Sequence, residues 1–269
     1  MSVDTTTRTK SDMSDLKLRR PAVSPMRVVL YVFLTFMALL WLFPLLWALY
    51  NSLRDYSFTQ EHGYLSFGGF TFDNYPEAWE RGGFTVSFGN SAIITILAVV
   101  FTLAASSCMA FVLARVKFRF SFTLLAIFVA ANLLPAQALL IPIYRAFRWI
   151  ELPEWLSDSG SLLNTHAGVI LINVALQTGF CTFVLRNYMI GLPAAMYEAA
   201  EIDGASMWRQ FYGITLPLIR PALAALATLQ VAWIYNEFFW ATVLLQSGDK
   251  MPVTSSLNNL KGTFFTDFN

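Results

Sequence analysis

Charged residues in this chain fall into short clusters, and the stretches between them carry none. These stretches are Val28–Leu53, Gly82–Ala114, Phe120–Tyr144 and Ser159–Leu185, with a fifth, Pro221–Gln246, interrupted only by Glu237. A helix needs about 20 predominantly apolar residues to cross a hydrocarbon core about 30 Å thick. No run alternates polar and apolar residues with the period of two that marks a membrane barrel strand, so each predicts a helix. The helices are expected near residues 28–50, 90–113, 121–144, 166–185 and 222–246. The fold class that follows is all-α, a polytopic membrane helix bundle with five visible transmembrane helices in a domain spanning residues 25–269. Residues 1–24 stand apart: rich in Thr, Ser and Asp and without apolar periodicity, they have the composition of a disordered tail.

The first run follows a basic stretch, as the apolar core of a signal peptide would. It is more than 20 residues long and no Ala-x-Ala site follows it, so it reads as an uncleaved anchor. Basic loops stay in the cytoplasm. With the N-terminus inside, twelve Lys and Arg lie on the cytoplasmic side: Arg8, Lys10, Lys17, Arg19, Arg20, Arg27, Arg115, Lys117, Arg119, Arg186, Arg209 and Arg220. Only six lie outside: Arg54, Arg81, Arg145, Arg148, Lys250 and Lys261. The N-terminus is therefore cytoplasmic, and five helices put the C-terminus on the far side.

Composition narrows the function. Of 269 residues, 56% are hydrophobic and 13% charged, with a mean hydropathy of +0.54; a soluble domain carries about 25% charged residues. A soluble enzyme, a disordered chain and a disulfide scaffold are excluded together. A net charge of +1 without a basic stripe gives no sign of a nucleic-acid partner. Cys108 and Cys181 lie inside apolar runs and read as buried small side chains. His62 and His166 are too far apart in sequence to form the clustered acids, bases or metal ligands of an embedded enzyme.

The cytoplasmic segment 186–220 is long for a connection with no task. Its first part, Leu192-Pro193-Ala194-Ala195-Met196-Tyr197-Glu198-Ala199-Ala200-Glu201, favours a helix begun at Pro193. Gly204 supplies a stop and Ser206 a cap for a second short helix, before Pro217 and Pro221 break the chain ahead of the fifth span. Ala199 and Ala200 leave a shallow face for another backbone. Glu198 and Asp203 offer carboxylates to a partner's Arg or Lys. Met207, Trp208 and Phe211 must bury against something, and lipid headgroups are one possible surface.

The stretch Glu198-Ala199-Ala200, three residues, Gly204, nine residues, Ile214-Thr215-Leu216-Pro217 resembles the EAA loop of ABC-importer permeases. Asp203 and Ala205 flank its glycine. Phe72-Asp73-Asn74-Tyr75, Asn90-Ser91 and Trp233-Ile234-Tyr235-Asn236-Glu237-Phe238 are similar to the maltose-type, carbohydrate-uptake branch, and the likeness covers residues 28–269. The resemblance implies a multi-pass permease subunit of a bacterial or archaeal cytoplasmic membrane that does no chemistry. The coupling residues it implies are Glu198, Ala199, Ala200, Asp203, Gly204, Ala205, Ile214, Leu216 and Pro217, which dock on a separate ABC ATPase dimer. It also implies a second, paralogous permease, an extracellular solute-binding protein and a sugar substrate. No Gly-x-x-x-x-Gly-Lys-[Ser/Thr] phosphate loop occurs in the sequence, so ATP and Mg fall to the partner ATPase and this chain has no cofactor of its own. The family has six membrane helices where five are visible here. A missing sixth helix would bare the packing face of the fifth, so truncation is the expectation.

An ionised side chain within the bilayer costs about 2.5–3.5 kcal/mol, and Glu237 therefore needs a reason. On one continuous helix, Gln230, Trp233, Glu237 and Trp240 share a face, with Asn236 beside it, and His166, Asn173 and Gln177 form a second polar stripe. Asn173, Gln177, Gln230, Trp233, Asn236 and Glu237 are the candidate pathway residues. Amides and a carboxylate bind sugar hydroxyls and an indole stacks on a sugar face, while the same amides can equally hold helices together. Pro135, flanked by Asn132 and Gln137, reads as a kink, as do Pro44 and Pro142. An importer for a non-sugar solute is one alternative. An ion-coupled secondary transporter is another, but it lacks the internal symmetry it would need.

Overall fold

Residues 25–116, 119–154 and 157–260 are described in the computed structural model. The tail expected over 1–24, together with Lys117, Trp155 and Lys261, lies outside the described residues. The chain divides into two units, one ending at Asn74 and one beginning at Tyr75.

In the first unit, α1 (Pro25–Ser52) is apolar all round and continues as helix through Pro44. Its 28 residues span about 42 Å at 1.5 Å per residue. Asn51 alone among them is buried, and near the end of the helix Tyr50 meets the following loop through the rings of Phe67 (5.6 Å) and Phe70 (5.7 Å). Just beyond it Arg54 is fully buried in a cage of main-chain oxygens. Its guanidinium donates to the carbonyls of Gly68 (3.2 Å), Tyr64 (3.1 Å) and Gly63 (3.3 Å), and to Ser66 Oγ (2.6 Å). Asp55 caps α2 (Tyr56–His62) by accepting from the Ser57 hydroxyl and the Phe58 N–H. Those two bonds hold its carboxyl below the usual range, so the cap is fully formed above the ordinary carboxylate pKa and weakens only in stronger acid.

The short α3 (Asn74–Arg81) follows, and the second unit is built on α4 (Phe84–Arg115) and α7 (His166–Ile190), whose packing is the most extensive among the described residues. Along α4, Ala98, Thr102, Ser106 and Ala110 recur every four residues and are all fully buried. A row of small side chains at this spacing lets two membrane helices approach closely. Ser106 Oγ donates across the interface to the carbonyl of Thr178 (3.2 Å). One apolar cluster gathers Ile94, Ala98, Val169, Ile172, Ile234, Trp240 and Leu244. A second gathers Ala110, Phe111, Leu185, Met189, Tyr197, Phe211 and Ile219 at the end where α4 finishes.

Two expected spans are corrected. The span over 121–144 is instead α5 (Ser121–Ala131) and α6 (Ala136–Trp149), turned by 102°. Pro135 has no N–H to continue the helix and drives the preceding residue out of the helical region. Asn132 Nδ2 donates back to the Phe128 carbonyl (2.8 Å) at the break. The span over 222–246 is α11 (Arg220–Tyr235) followed, after a gap at residues 236–238, by α12 (Phe239–Leu244). Among the described residues three helices, α1, α4 and α7, are long and apolar enough to cross a membrane by themselves. Five spans result if α5 with α6, and α11 with the segment Met207–Leu218 before it, each count as one. Among the described residues the only extended pairings are isolated bridges, Arg54 with Phe70 and Glu151 with Ser161.

Gly179 marks a close approach of α5 to α7: a Cβ there would lie 2.7 Å from the Phe128 carbonyl oxygen. We expect Gly179→Val to lower the thermal unfolding midpoint in detergent, through overpacking of about 1–3 kcal/mol. Gly89→Ala, whose Cβ meets nothing within 4 Å, should leave the midpoint unchanged or raise it. Equal melting of the two variants would contradict this packing.

Candidate functional site

The segment joining α7 to α11 folds as the composition of its residues directs. Pro193 precedes α8 (Ala194–Ile202), nine residues dominated by alanine and glutamate. The helix stops where Gly204 turns to φ +74°. There the Gly204 N–H donates to the Glu201 carbonyl (3.0 Å) and the Ala205 N–H to the Ala200 carbonyl (2.8 Å). This is the Schellman pair, and its left-handed residue is glycine because a Cβ strains that conformation. Ser206 Oγ then accepts from the Arg209 N–H (3.4 Å) and opens α9 (Met207–Gln210). A wide π turn, Phe211–Thr215, and the three-residue α10 (Leu216–Leu218) follow. The chain bends by 71° at Ile219 into α11, between Pro217 and Pro221.

The motif residues divide by face. Glu198, Ala199, Glu201, Ile202, Asp203 and Gly204 are exposed, Ile202 to 87%. Ala200 is buried against its own chain, so the shallow notch expected from both alanines is left to Ala199 alone. Ala205 is half-buried. Ile214 and Leu216 pack on the cluster at the end of α4, and Pro217 is exposed. Of the apolar trio in the second helix, Phe211 is buried whereas Met207 and Trp208 stay exposed.

Tyr197 is buried at the centre of the hairpin's inner face. The guanidinium carbon of Arg115, the last residue of α4, lies 3.2 Å from the centre of its ring. Its hydroxyl meets Thr215 Oγ1 at 2.9 Å. Thr215 Oγ1 donates to the Gln210 carbonyl (3.2 Å), and Gln210 Nε2 donates to the Ala205 carbonyl (3.1 Å). Arg115 Nη2 also reaches the Met189 carbonyl near the end of α7 (3.5 Å), and Arg186 Nε reaches the Leu113 carbonyl (3.3 Å).

The candidate pathway residues do not form one stripe. Gln230 is fully buried and its Nε2 lies 3.4 Å from Gln177 Oε1 and 3.1 Å from Cys181 Sγ. Asn173 bonds back to the Val169 carbonyl (2.9 Å) of its own helix. Asn173 and Glu237 line one small cavity, along with Ser91, Thr95 and Tyr235. Trp233 and Asn236 are exposed, and Asn236 Nδ2 donates to the Ala232 carbonyl (2.7 Å). The expected common face of Gln230, Trp233, Glu237 and Trp240 is corrected because the helix carrying it ends at Tyr235. Glu237 falls in the gap, where Oε1 accepts from the Trp240 N–H (2.8 Å) and Oε2 from the Ala241 N–H (3.2 Å). Its two carboxyl oxygens thus accept from free N–H donors in the first turn of α12. His166 Nε2 lies 3.0 Å from the Lys250 carbonyl and fastens the loop after α12 to the start of α7.

Residues 102–264 match the family described as binding-protein-dependent transport system inner membrane component. The chain belongs to this family. It is the permease subunit of an ABC importer, and similar proteins agree. A probable ABC transporter permease protein of Pyrococcus horikoshii is 32% identical over 85% of this chain and 80% of its own length. The arabinooligosaccharides transport system permease protein of Halalkalibacterium halodurans is 32% identical over 89% and 82%. A solved bacterial ABC transporter involved in import of the acidic polysaccharide alginate contains a chain that superposes with a TM-score of 0.74 at 26% identity. That match covers 98% of this permease and 85% of the solved chain.

Sequence reasoning about the permease missed Arg115, Tyr197 and Thr215. Arg115 entered only as a topological charge. The helical spacing of Tyr197 and Ala200, three apart on one face, was the available sign that this face turns inward. We expect Gly204→Val to raise amide hydrogen exchange across residues 199–206 by about five- to thirtyfold, since a non-glycine left-handed residue costs about 1–2 kcal/mol. Gly204→Asn should raise it much less, because Asn tolerates this region. Identical exchange in both variants would show that the cap is not what holds α8.

Proposed function

We propose that this permease imports a sugar delivered by an extracellular solute-binding protein, and that α8 seats in a groove of a cytoplasmic ABC ATPase. The observation that carries the docking is the bare outer face of α8. An isoleucine exposed to 87% at the tip of a nine-residue helix, flanked by Glu198, Glu201 and Asp203, calls for a cover. A groove with apolar walls and basic side chains supplies both needs. Glu198, Ala199, Asp203 and Gly204 touch the ATPase on this reading, while Ala200, Ala205, Ile214 and Leu216 face the hairpin's own bundle and Pro217 sets the bend into α11.

The remaining assignments follow. Closure of an ATPase dimer on ATP moves the hairpin, and the hairpin moves the membrane helices between inward and outward access. The N-terminus lies in the cytoplasm, on the side of the basic loops. ATP and Mg belong to the ATPase. The exposed Trp233 of α11 and Asn236 just beyond its end are surfaces for lipid and for a second, paralogous permease, with the solute passing between the two. Gln177 and Gln230 brace α7 and α11 beside that path, Asn173 lines the small cavity next to it, and Glu237 shapes it by fixing the start of α12. The sugar reading is supported by relatives such as the arabinooligosaccharide permease and by the indole and amide side chains along α11.

In a reconstituted importer, Glu198→Lys should abolish both uptake and solute-stimulated ATP hydrolysis while the permease still inserts in normal amount. Normal transport by that variant would refute the docking. The permease purified by itself should hydrolyse no ATP, and hydrolysis by it would refute the division of labour.

A further inference from the structure

We propose that Tyr197 is the positioning residue through which displacement of α8 reaches the membrane helices, with Arg115 and Thr215 as its two points of purchase. The inference rests on the reading of α8 as the ATPase-docking helix and adds how that helix is geared to the bundle.

Little joins α8 to the rest of the chain. Its nine residues bury two side chains, Tyr197 and Ala200, and Ala200 contributes only a methyl group. A displacement applied at the outer face therefore passes largely through one aromatic ring. Three membrane elements meet around that ring. Arg115 closes α4 and lies over the ring at 3.2 Å, and its other contact, the Met189 carbonyl, belongs to the last turn of α7. Thr215 ends the π turn that leads through α10 to α11.

The hydrogen-bond directions are fixed by counting protons. Thr215 has one hydroxyl proton and donates it to the Gln210 carbonyl five residues back, so Tyr197 is the donor to Thr215 Oγ1. The Gln210 side chain returns to the Ala205 carbonyl beside the Gly204 cap. The circuit Tyr197–Thr215–Gln210–Ala205 thus ties the buried and turning ends of the hairpin to the same π turn. A wide turn of this kind stores one extra residue and is a natural place for a helix to change pitch. Arg115 is half-buried with its Nε closed off from solvent, and a partly desolvated guanidinium over an aromatic face is worth at least as much as one net neutral hydrogen bond. The Arg115 contact therefore makes α8 follow α4 and α7, while the hydroxyl contact is the link by which α11 is drawn along.

The test uses the whole importer, permease with its partner subunits, in proteoliposomes, and reads solute moved per ATP hydrolysed together with the amount of assembled complex. Tyr197→Phe deletes the hydroxyl and keeps the ring. Thr215→Val deletes its acceptor. Each should lower the transport-to-hydrolysis ratio by about three- to tenfold, the factor that one net hydrogen bond represents. Thr215→Val also loses the bond to the Gln210 carbonyl, so the double variant should fall no further than Thr215→Val alone, where the bond removed by Tyr197→Phe is already gone. Arg115→Lys keeps the charge and loses the planar group, and should lower the ratio further when added to Tyr197→Phe. If these variants lower transport and hydrolysis together, in proportion to assembled complex and with an unchanged ratio, Tyr197 is merely structural and the inference is overturned. Glu198→Lys is the control for the reading beneath it. If Glu198→Lys is inactive while Tyr197→Phe leaves the ratio unchanged, the gearing alone fails; if Glu198→Lys works normally, the docking fails and the gearing with it.

Discussion

A nine-residue helix is too short to be stable in water unless something holds it, and α8 is held by one ring and one cap. The Arg115 guanidinium over Tyr197 and the hydrogen bond from Tyr197 to Thr215 fix its inner face. The left-handed turn at Gly204 fixes its end. What remains, the face with Glu198, Glu201 and Ile202, is unneeded for the fold of this chain and stays bare. The proposed docking rests on that division: an element rigid on one side and available on the other.

The bundle above it solves a different problem. Within a bilayer apolar side chains gain nothing by leaving lipid, so helices associate where their backbones approach closely and polar groups find partners. The small-residue row from Ala98 to Ala110 and the absent Cβ at Gly179 provide the approach. Bonds such as Ser106 to the Thr178 carbonyl provide the partners. The breaks at residues 132–135 and 236–238 carry the irregular backbone such a bundle tolerates, since Asn132 and Glu237 satisfy exposed main-chain groups there.

Much of this was legible in the sequence. Uncharged runs of about 20 residues have few physical solutions other than helices, and Gly204, Ser206 and Pro193 announce their turns through well-understood backbone preferences. The 102° turn at Pro135 was visible as a kink but not in its size, because the angle depends on how α5 settles on Gly179 of a distant helix. Glu237 was misplaced for a related reason. Helical spacing assumes an unbroken helix, and the carboxylate that seemed to lie on its face is what allows the next one to begin. Tyr197 escaped notice because its partners are 18 residues ahead and 82 residues behind. No local pattern reports an arginine at one helix end meeting a ring on another.

The central claim, that the bare tip of α8 is covered by an ATPase, is tested most directly by site-specific cross-linking in the assembled importer. With Ile202→Cys in the permease and cysteines placed around the ATPase's candidate groove, the account predicts a cross-link between the two subunits whose yield changes when ATP is added. A cysteine at position 202 that stays freely labelled by a water-soluble reagent in the assembled importer, with no cross-link in any nucleotide state, would contradict it.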